Sequence, residues 1–284
     1  MLQVTNLCKN YADFKLDNVS FTVPQGMIVG FIGQNGAGKT TTLKCVMRSV
    51  FPDGGKVEVL GKDMAENESA NKQIISFTTG AFDYYPGETL RKIADVYKTF
   101  YDEWDEQAFE NYCKRFELVL TKKVRELSAG MKVKFSLALA MSHNAKLFLF
   151  DEPTSGLDPI ARDELLDVFR DIVDEGDKSI LFSTHITSDL DKCADVILFI
   201  RKGKILLEQP KDELLEQHVV VKGSSEQLTD ELASRLVACK KHQFGFVGLM
   251  KRSDLAESDN LATEKPTLDD IMVYYNKQEG DKND

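Results

Sequence analysis

The stretch Gly33-Gln34-Asn35-Gly36-Ala37-Gly38-Lys39-Thr40 decides the fold of this chain. An apolar run at 27–32 precedes it, and the segment 41–50 that follows contains no Pro or Gly to end a helix. This order is typical of a strand, a glycine loop and a helix. Glycines let backbone N–H groups turn toward an anion without interference from a Cβ atom, and the next helix adds unpaired N–H donors. The stretch therefore predicts a polyphosphate site, in which Lys39 contacts the terminal phosphates and the Thr40 hydroxyl ligates Mg²⁺.

Composition limits the classes of protein to which the chain can belong. Its 284 residues carry a formal net charge of −10 and five scattered cysteines, none of them in a C-x-x-C pair. The negative charge argues against a general nucleic-acid surface, which needs clustered Lys and Arg. No apolar run approaches the ~18 to 20 residues needed to span a bilayer, and the N-terminus lacks a secretory pattern. We therefore expect reduced thiols in the cytosol and no binding of nucleic acid.

The order of elements predicts an α/β core with an inserted helical block. Alternating apolar and polar residues at 2–23 predict two or three antiparallel strands, with Tyr11 in the connection between them. A buried strand is predicted at 146–150, which is an apolar run, and another at 179–183. Between 88 and 126 the apolar residues recur at helical spacing, which indicates a small helical subdomain.

Two carboxylates follow the apolar run at 146–150. Asp151 and Glu152 are hard to explain as structural residues, because unpaired buried charges cost several kcal/mol. The carboxyl ends of strands are where α/β sheets hold ligands. We therefore expect Asp151 to bind Mg²⁺, directly or through water, and Glu152 to orient and deprotonate the attacking water. His185 leaves the strand 179–183 at the same edge and is either a contact for the terminal phosphate or an ordinary core or surface histidine.

A second candidate phosphate contact lies in Leu127-Ser128-Ala129-Gly130-Met131. Ser128 is a candidate N-cap for a helix that runs to about residue 142, and the small residues after it leave the first N–H groups open to an anion. A capped helix after a turn explains the same pentapeptide. Tyr11 has two interpretations as well, a half-buried loop aromatic or a platform for an adenine ring.

The region from residue 210 onward has a weaker strand and helix alternation and is expected to be a separate accessory region. We expect strands at 219–221 and 244–250 around a helix at 226–237, and a capping box at 267–270 that opens a last helix. The domains predicted from the sequence are therefore 1–209, with a helical subdomain at about 85–142, and 210–284.

The order of these motifs resembles that of the nucleotide-binding subunit of ATP-binding cassette (ABC) transporters. The motifs are the Walker A loop at Gly33, L-S-A-G-M at Leu127, L-F-L-F-D-E-P at Leu147, S-G-L-D at Ser155 and S-T-H at Ser183. The resemblance covers about residues 1–208 and looks closest to bacterial subunits of export-type systems. It implies a P-loop NTPase (RecA-like) fold with a mostly parallel sheet. An N-terminal antiparallel β subdomain, an inserted helical subdomain that carries the signature and a small C-terminal α+β extension complete the implied fold.

The resemblance also implies roles for the matching residues. Those that would bind ATP within one chain are Tyr11, Gly33, Asn35, Gly36, Ala37, Gly38, Lys39, Thr40 and Thr41. Ser128 and Gly130 would contact the terminal phosphate of the ATP bound to the second subunit. Asp158 would lie at the boundary between the two subunits. The remaining roles are Mg²⁺ binding by Thr40 and Asp151, general base catalysis by Glu152, and contact with the terminal phosphate by Lys39 and His185.

Two positions depart from the family pattern. Ala129 replaces the usual glycine after the signature serine. The family has a Gln that contacts Mg²⁺ and couples to the membrane partner just after the strand at 74–78, but 76–85 contains no Gln and Gly80 falls at that place. The resemblance therefore assigns no residue at this position to contact Mg²⁺ or to couple closure of the two subunits to the membrane partner.

The function that the resemblance implies is an ATP-hydrolysing subunit on the cytoplasmic face of the cell membrane. Two such chains, as a homodimer or a heterodimer, would close over ATP and Mg²⁺ and drive a separate transmembrane permease, with export as the expected direction. One alternative is a soluble ABC-type ATPase that acts on DNA or ribosomes. Such proteins usually carry a long coiled coil or two cassettes in one chain, and this sequence has neither. Another alternative is an ATP-gated switch with little turnover.

Overall fold

The computed structural model describes residues 1–79 and 85–277. The chain forms two compact units, Met1–Glu208 and Gln209–Asp284. The boundary lies one residue before the one expected from the sequence.

The described residues form strands and helices with the following bounds. The strands are β1 Leu2–Asn10, β2 Lys15–Val23, β3 Ile28–Ile32, β4 Gly54–Val59, β5 Lys62–Asp63, β6 Ile75–Thr79, β7 Leu147–Asp151, β8 Ser179–Thr184, β9 Val196–Arg201, β10 Lys204–Pro210, β11 His218–Gly223, β12 Leu236–His242, β13 Gly245–Lys251 and β14 Ala262–Glu264. The helices are α1 Lys39–Val46, α2 Glu68–Gln73, α3 Leu90–Tyr97, α4 Glu106–Arg115, α5 Ala129–Met141, α6 Pro159–Val173, α7 Thr187–Cys193, α8 Lys211–Glu216, α9 Asp230–Arg235 and α10 Leu268–Lys277.

A six-stranded sheet with the order β10-β9-β3-β8-β7-β6 is the centre of the first unit. The neighbouring strands from β9 to β6 are parallel. Every residue of β3 and β7 is buried, as expected for parallel strands covered on both faces. The carboxyl ends of β3, β7 and β8 therefore lie at one edge of the sheet, where the glycine loop, Asp151 and His185 follow them. The predicted α/β core is confirmed.

A four-stranded antiparallel sheet with the order β2-β1-β4-β5 packs on this core. Its buried side chains form one hydrophobic cluster with residues of β3, α1 and β7, among them Leu7, Val19, Phe31, Leu43 and Leu149. The antiparallel strands predicted from the alternation of apolar and polar residues at 2–23 are therefore confirmed. Their buried side chains pack against β3, the strand that leads into the glycine loop.

The predicted helical subdomain consists of α3, α4 and α5. Each helix begins at a side-chain cap: Thr89 accepts from Lys92 N, Asp105 from Ala108 N and Ser128 from Met131 N. These bonds satisfy backbone donors that have no partner within the helix. The N-cap predicted at Ser128 is therefore confirmed.

The second unit contains a four-stranded sheet with the order β12-β13-β11-β14. The helix predicted at 226–237 is wrong in extent, because α9 is short and the chain enters β12 at Leu236. β12 pairs antiparallel with β13, and these ladder bonds outweigh the helical spacing of the apolar residues. The capping box at 267–270 is confirmed, since Thr267 Oγ1 accepts from Asp270 N at 3.1 Å and the Asp270 carboxylate accepts from Thr267 N at 3.0 Å.

Candidate functional site

The glycine loop between β3 and α1 is held against the strands around it. Gly36 and Gly38 have φ angles of 79° and 115°, which glycine adopts at little cost. A Cβ atom on Gly38 would lie 2.9 Å from the Phe14 ring, and one on Gly33 would lie 2.5 Å from Ile200 O. The backbone path at Gly33 and Gly38 therefore leaves no room for a side chain, whereas Gly36 is favoured only by its φ angle. The N-cap residue of α1 is Gly38, which has no side chain to cap the helix, and its first N–H groups receive no side-chain cap from the described residues. They can therefore bind an anion.

An open cavity of about 690 Å³ lies over this loop. Its lining residues are Asp13, Phe14, Gln34, Asn35, Gly36, Gly38, Lys39, Thr40, Thr41, Glu152, Ser155 and His185. The cavity therefore brings together the loop after β3, the turn after β7 and the residue after β8, as the sheet order requires.

Glu152 lies between two nitrogen-bearing side chains. Its Oε1 is 3.2 Å from Lys39 Nζ, and its Oε2 is 2.8 Å from His185 Nδ1. Lys39 Nζ also donates to Gly33 O at 2.7 Å, and the Lys39 side chain is only 6% exposed. Lys39, Glu152 and His185 were each predicted to act on the terminal phosphate or on the attacking water. The structure places these three side chains next to one another.

Asp151 accepts one hydrogen bond at each carboxylate oxygen. Thr40 Oγ1 donates to Oδ2 at 2.7 Å, and Ser183 Oγ donates to Oδ1 at 2.6 Å. A hydroxyl and a carboxylate are hard oxygen donors of the kind that Mg²⁺ prefers. Among the described residues, no group of three or more His, Cys, Asp or Glu side chains could hold a metal. Mg²⁺ is usually bound by one or two carboxylates together with substrate phosphates. The residues present therefore fit the predicted ion.

The backbone at Glu152 has a φ angle of 53°, in the left-handed region. Its N–H donates to Ser183 Oγ at 3.0 Å, and its carbonyl accepts from Ser155 N at 3.1 Å. A non-glycine residue in this region costs of order 1–3 kcal/mol, and such residues concentrate at functional sites. The turn directs the Glu152 side chain toward Lys39 and His185 rather than along the strand.

Ser128, Gly130 and Asp158 lie elsewhere on the first unit and are not among the described residues that line this cavity. Ser128 caps α5, and a Cβ atom on the half-buried Gly130 would approach the methyl group of Ala161, at 3.3 Å, and the side chain of Leu157, at 3.8 Å. Asp158 caps α6 and accepts from Ile160 N and Ala161 N, both at 3.0 Å. Within one chain these residues do not meet the glycine loop.

Tyr11 is 49% exposed, and Lys9 Nζ lies 5.8 Å from its ring centroid. The aromatic residue of the same loop that lines the cavity is Phe14. Gly80, the position of the missing glutamine, lies outside the described residues. Ala129 is the first residue of α5.

Sequence reasoning did not identify Ser183, Phe14 or Asp189 as parts of the site. Ser183 opens the S-T-H motif, but a serine at a strand end gives no indication of which carboxylate it will reach. Asp189 lies in a polar stretch that resembles any solvated helix start, although its side chain is buried.

Comparison with known proteins adds independent findings. The family described as ABC transporter matches residues 16–155. The ABC transporter ATP-binding protein YtrB of Bacillus subtilis (strain 168) is 32% identical over 206 residues, which are 72% of this chain and 70% of that protein. Nod factor export ATP-binding protein I of Rhizobium sp. (strain N33) is 30% identical over 234 residues, 77% of this chain and 73% of that protein. A solved structure described as the ATP binding subunit of an ABC transporter superposes with a TM-score of 0.69 at 27% identity, and covers 76% of this chain and 92% of its own.

Proposed function

We infer the function of this chain from its family, because it belongs to the ATP-binding proteins of ABC transporters. It is an ATP-binding and ATP-hydrolysing subunit of a transporter. We propose that it binds ATP with Mg²⁺ in the cavity over the glycine loop. We further propose that it works on the cytoplasmic face of the membrane and drives a separate transmembrane partner in the direction of export.

The observation that carries the proposal is the position of Glu152 between Lys39 and His185. Glu152 is the general base, and its carboxylate accepts the proton of the attacking water. His185 Nδ1 lies at hydrogen-bond distance from Oε2 and orients the carboxylate. Lys39 supplies a positive charge at the base of the loop, where terminal phosphates compete with Glu152 for its ammonium group.

The metal would be held by Thr40 Oγ1 and the Asp151 carboxylate. When bound, Mg²⁺ neutralises charge on the phosphates and orients them. Ser183 holds the second oxygen of Asp151 and thereby fixes the direction of the first. Tyr11 is the residue proposed to stack on the adenine ring, from the loop that also contributes Phe14 to the cavity wall.

A second chain, identical or related, would complete the site. Ser128, which is exposed, and Gly130, which is half-buried, form a helix start that does not line the cavity of its own chain. We propose that this start contacts the terminal phosphate bound to the partner, with Asp158 at the boundary. ATP then favours the closed pair, because only the closed pair offers both sets of contacts.

The membrane partner is proposed because the relatives are ATP-binding proteins of transporters. In 1–79 and 85–277, no helix is long and apolar enough to cross a bilayer. Export is proposed because of the likeness to the Nod factor export protein. A soluble cassette that acts on DNA or ribosomes is disfavoured by the net charge of −10. Co-purification with a multi-span membrane protein from detergent extract supports the transporter, whereas recovery in a nucleic-acid particle contradicts it.

The central experiment is Glu152→Gln, which keeps the size of the side chain but removes its basicity. We expect ATP turnover to fall by about 10²–10⁴-fold, the range typical of a general base, while ATP binding remains. We also expect ATP to convert the variant to a stable dimer, detected by size-exclusion chromatography with light scattering, which ADP does not produce.

Glu175→Gln is the matched control, because the Glu175 side chain is 74% exposed and lies outside the cavity lining. It should turn over ATP at the wild-type rate. Unchanged turnover in Glu152→Gln removes Glu152 from the role of base. A monomer in saturating ATP contradicts the two-chain site.

A further inference from the structure

Asp189 is a buried carboxylate that the proposed mechanism does not use. It lies in α7, four residues after His185, and is 1% exposed. Burial raises the pKa of its carboxyl group, because the charged form loses hydration. A buried carboxylate is expensive unless it has partners, so its contacts indicate what it does.

The closest contact of Asp189 is with the turn that carries Glu152. Thr154 Oγ1 donates to Asp189 Oδ2 at 2.7 Å, and both side chains are buried. Thr154 belongs to the tight turn after β7, in which Ser155 N donates to Glu152 O and Leu157 N donates to Thr154 O. The hydrogen bond to Asp189 therefore anchors the middle of this turn.

The other oxygen of Asp189 faces α6. Arg162 Nε lies 3.8 Å from Oδ1, beyond hydrogen-bond range, and this buried nitrogen makes no hydrogen bond within the part of the chain that the structure describes. The attraction between the two charges holds Asp189 from the side opposite Thr154. Asp189 N also donates to Ile186 O at 3.3 Å, which ties the same residue to the bend after His185.

One carboxylate thus connects the segment that carries Glu152 to the segment that carries His185. These segments follow different strands. Glu152 N is bonded to Ser183, but the turn from Thr154 onward and the bend after His185 extend beyond the last residues that pair the two strands, Asp151 and Ser183. The side chains that they present are nevertheless 2.8 Å apart.

We propose that Asp189 is a positioning residue for ATP hydrolysis, which acts through Thr154 to keep Glu152 and His185 at their working distance. It touches neither the nucleotide nor the attacking water. The inference rests on the proposed function, because it assigns Asp189 a role in the geometry of the same base.

Thr154→Val tests the proposal, since valine keeps the shape of threonine and removes only the hydroxyl. We expect kcat to fall by about 10- to 100-fold, as a small misplacement of a catalytic group does, while KM for ATP stays within twofold. Thr154→Ser keeps the hydroxyl and should retain most of the wild-type kcat. Asp189→Ala should lower kcat similarly, and the double variant should be no slower than the slower single variant, because both remove one link.

Two further measurements separate positioning from general stability. Ser142→Ala also removes a buried hydroxyl, which donates to Ala138 O at the end of α5, and should lower the melting temperature without changing kcat. In the Glu152→Gln background, Thr154→Val should not change the residual rate, since the base that it positions is absent.

The proposal is overturned if Thr154→Val keeps kcat within twofold of the wild type, or if KM rises while kcat does not change. It is also overturned if Thr154→Val slows the Glu152→Gln variant as much as the wild type. These outcomes differ from failure of the proposed function, in which the wild-type protein hydrolyses no ATP or Glu152→Gln hydrolyses it normally.

Discussion

Ser183 holds the magnesium-binding carboxylate in the proposed site, and its removal should weaken metal binding. Its hydroxyl donates to Asp151 Oδ1, while Thr40 donates to Oδ2. Ser183→Ala leaves the carboxylate with one donor, so it can rotate about its Cβ–Cγ bond. A hydrogen bond to a charged group contributes about 1.5–3 kcal/mol. Because 1.4 kcal/mol is a factor of ten, the Mg²⁺ concentration that gives half-maximal ATPase activity should rise by about 10- to 100-fold.

The assay is a Mg²⁺ titration of ATP turnover at saturating ATP. Ser179→Ala is a matched control on the same strand, because the Ser179 hydroxyl is also buried, accepts from Gly26 N at 3.0 Å and donates to Pro24 O at 2.9 Å. Both variants should lose stability, by about 1–2 kcal/mol, but only Ser183→Ala should shift the Mg²⁺ requirement. An equal shift in both variants, or none in Ser183→Ala, refutes the assignment of Asp151 as the metal-binding group that Ser183 orients.

Two further predictions concern stability. Burial lowers the pKa of His143 from 6.5 to about 4. Between these two pKa values the unfolded state binds a proton that the folded state does not, so the free energy of unfolding should fall as the pH drops below 6.5. We expect urea unfolding to show a loss of about 2 kcal/mol from this residue between pH 7 and pH 5, which His143→Phe removes; an unchanged pH dependence in that variant contradicts the reasoning. At Gly203, φ is 75° and a Cβ atom would lie 1.8 Å from Lys15 O. Gly203→Ala should therefore cost about 3 kcal/mol of unfolding free energy, against about 1 kcal/mol for Gly61→Ala, where φ is similar and the space is open; equal losses would show that the contact with Lys15 does not matter.

Most of the first unit was predictable because its signals are strong and local. β3, β7 and β8 are buried along their whole length and contain apolar runs that end next to residues that carry chemistry, and a parallel sheet places such ends at one edge. The turn between β9 and β10 is also determined locally. Lys202 and Gly203 both have positive φ, which is the geometry of a two-residue type I′ hairpin.

The second unit was less predictable because its strands depend on distant partners. The apolar residues near the start of β12 fit a helix as well as a strand in a short window. Its pairing with β13 decides the outcome, and this pairing is set by the whole sheet. The sequence pattern contains no local signal that ends α9 at Arg235 rather than at residue 237.

Within the candidate site, the side chains were predictable but most of their connections were not, and strand register explains why. Asp151 on β7 is paired in register with Ser183 on β8. This pairing brings a hydroxyl next to the carboxylate, and a shift of one residue would turn it to the opposite face of the sheet. Register depends on the burial of every other residue of both strands, so no motif at a strand end specifies it. A motif can therefore point to the proposed metal-binding carboxylate and the proposed base, whereas their orientation by Ser183 and Thr154 follows only from the assembled sheet.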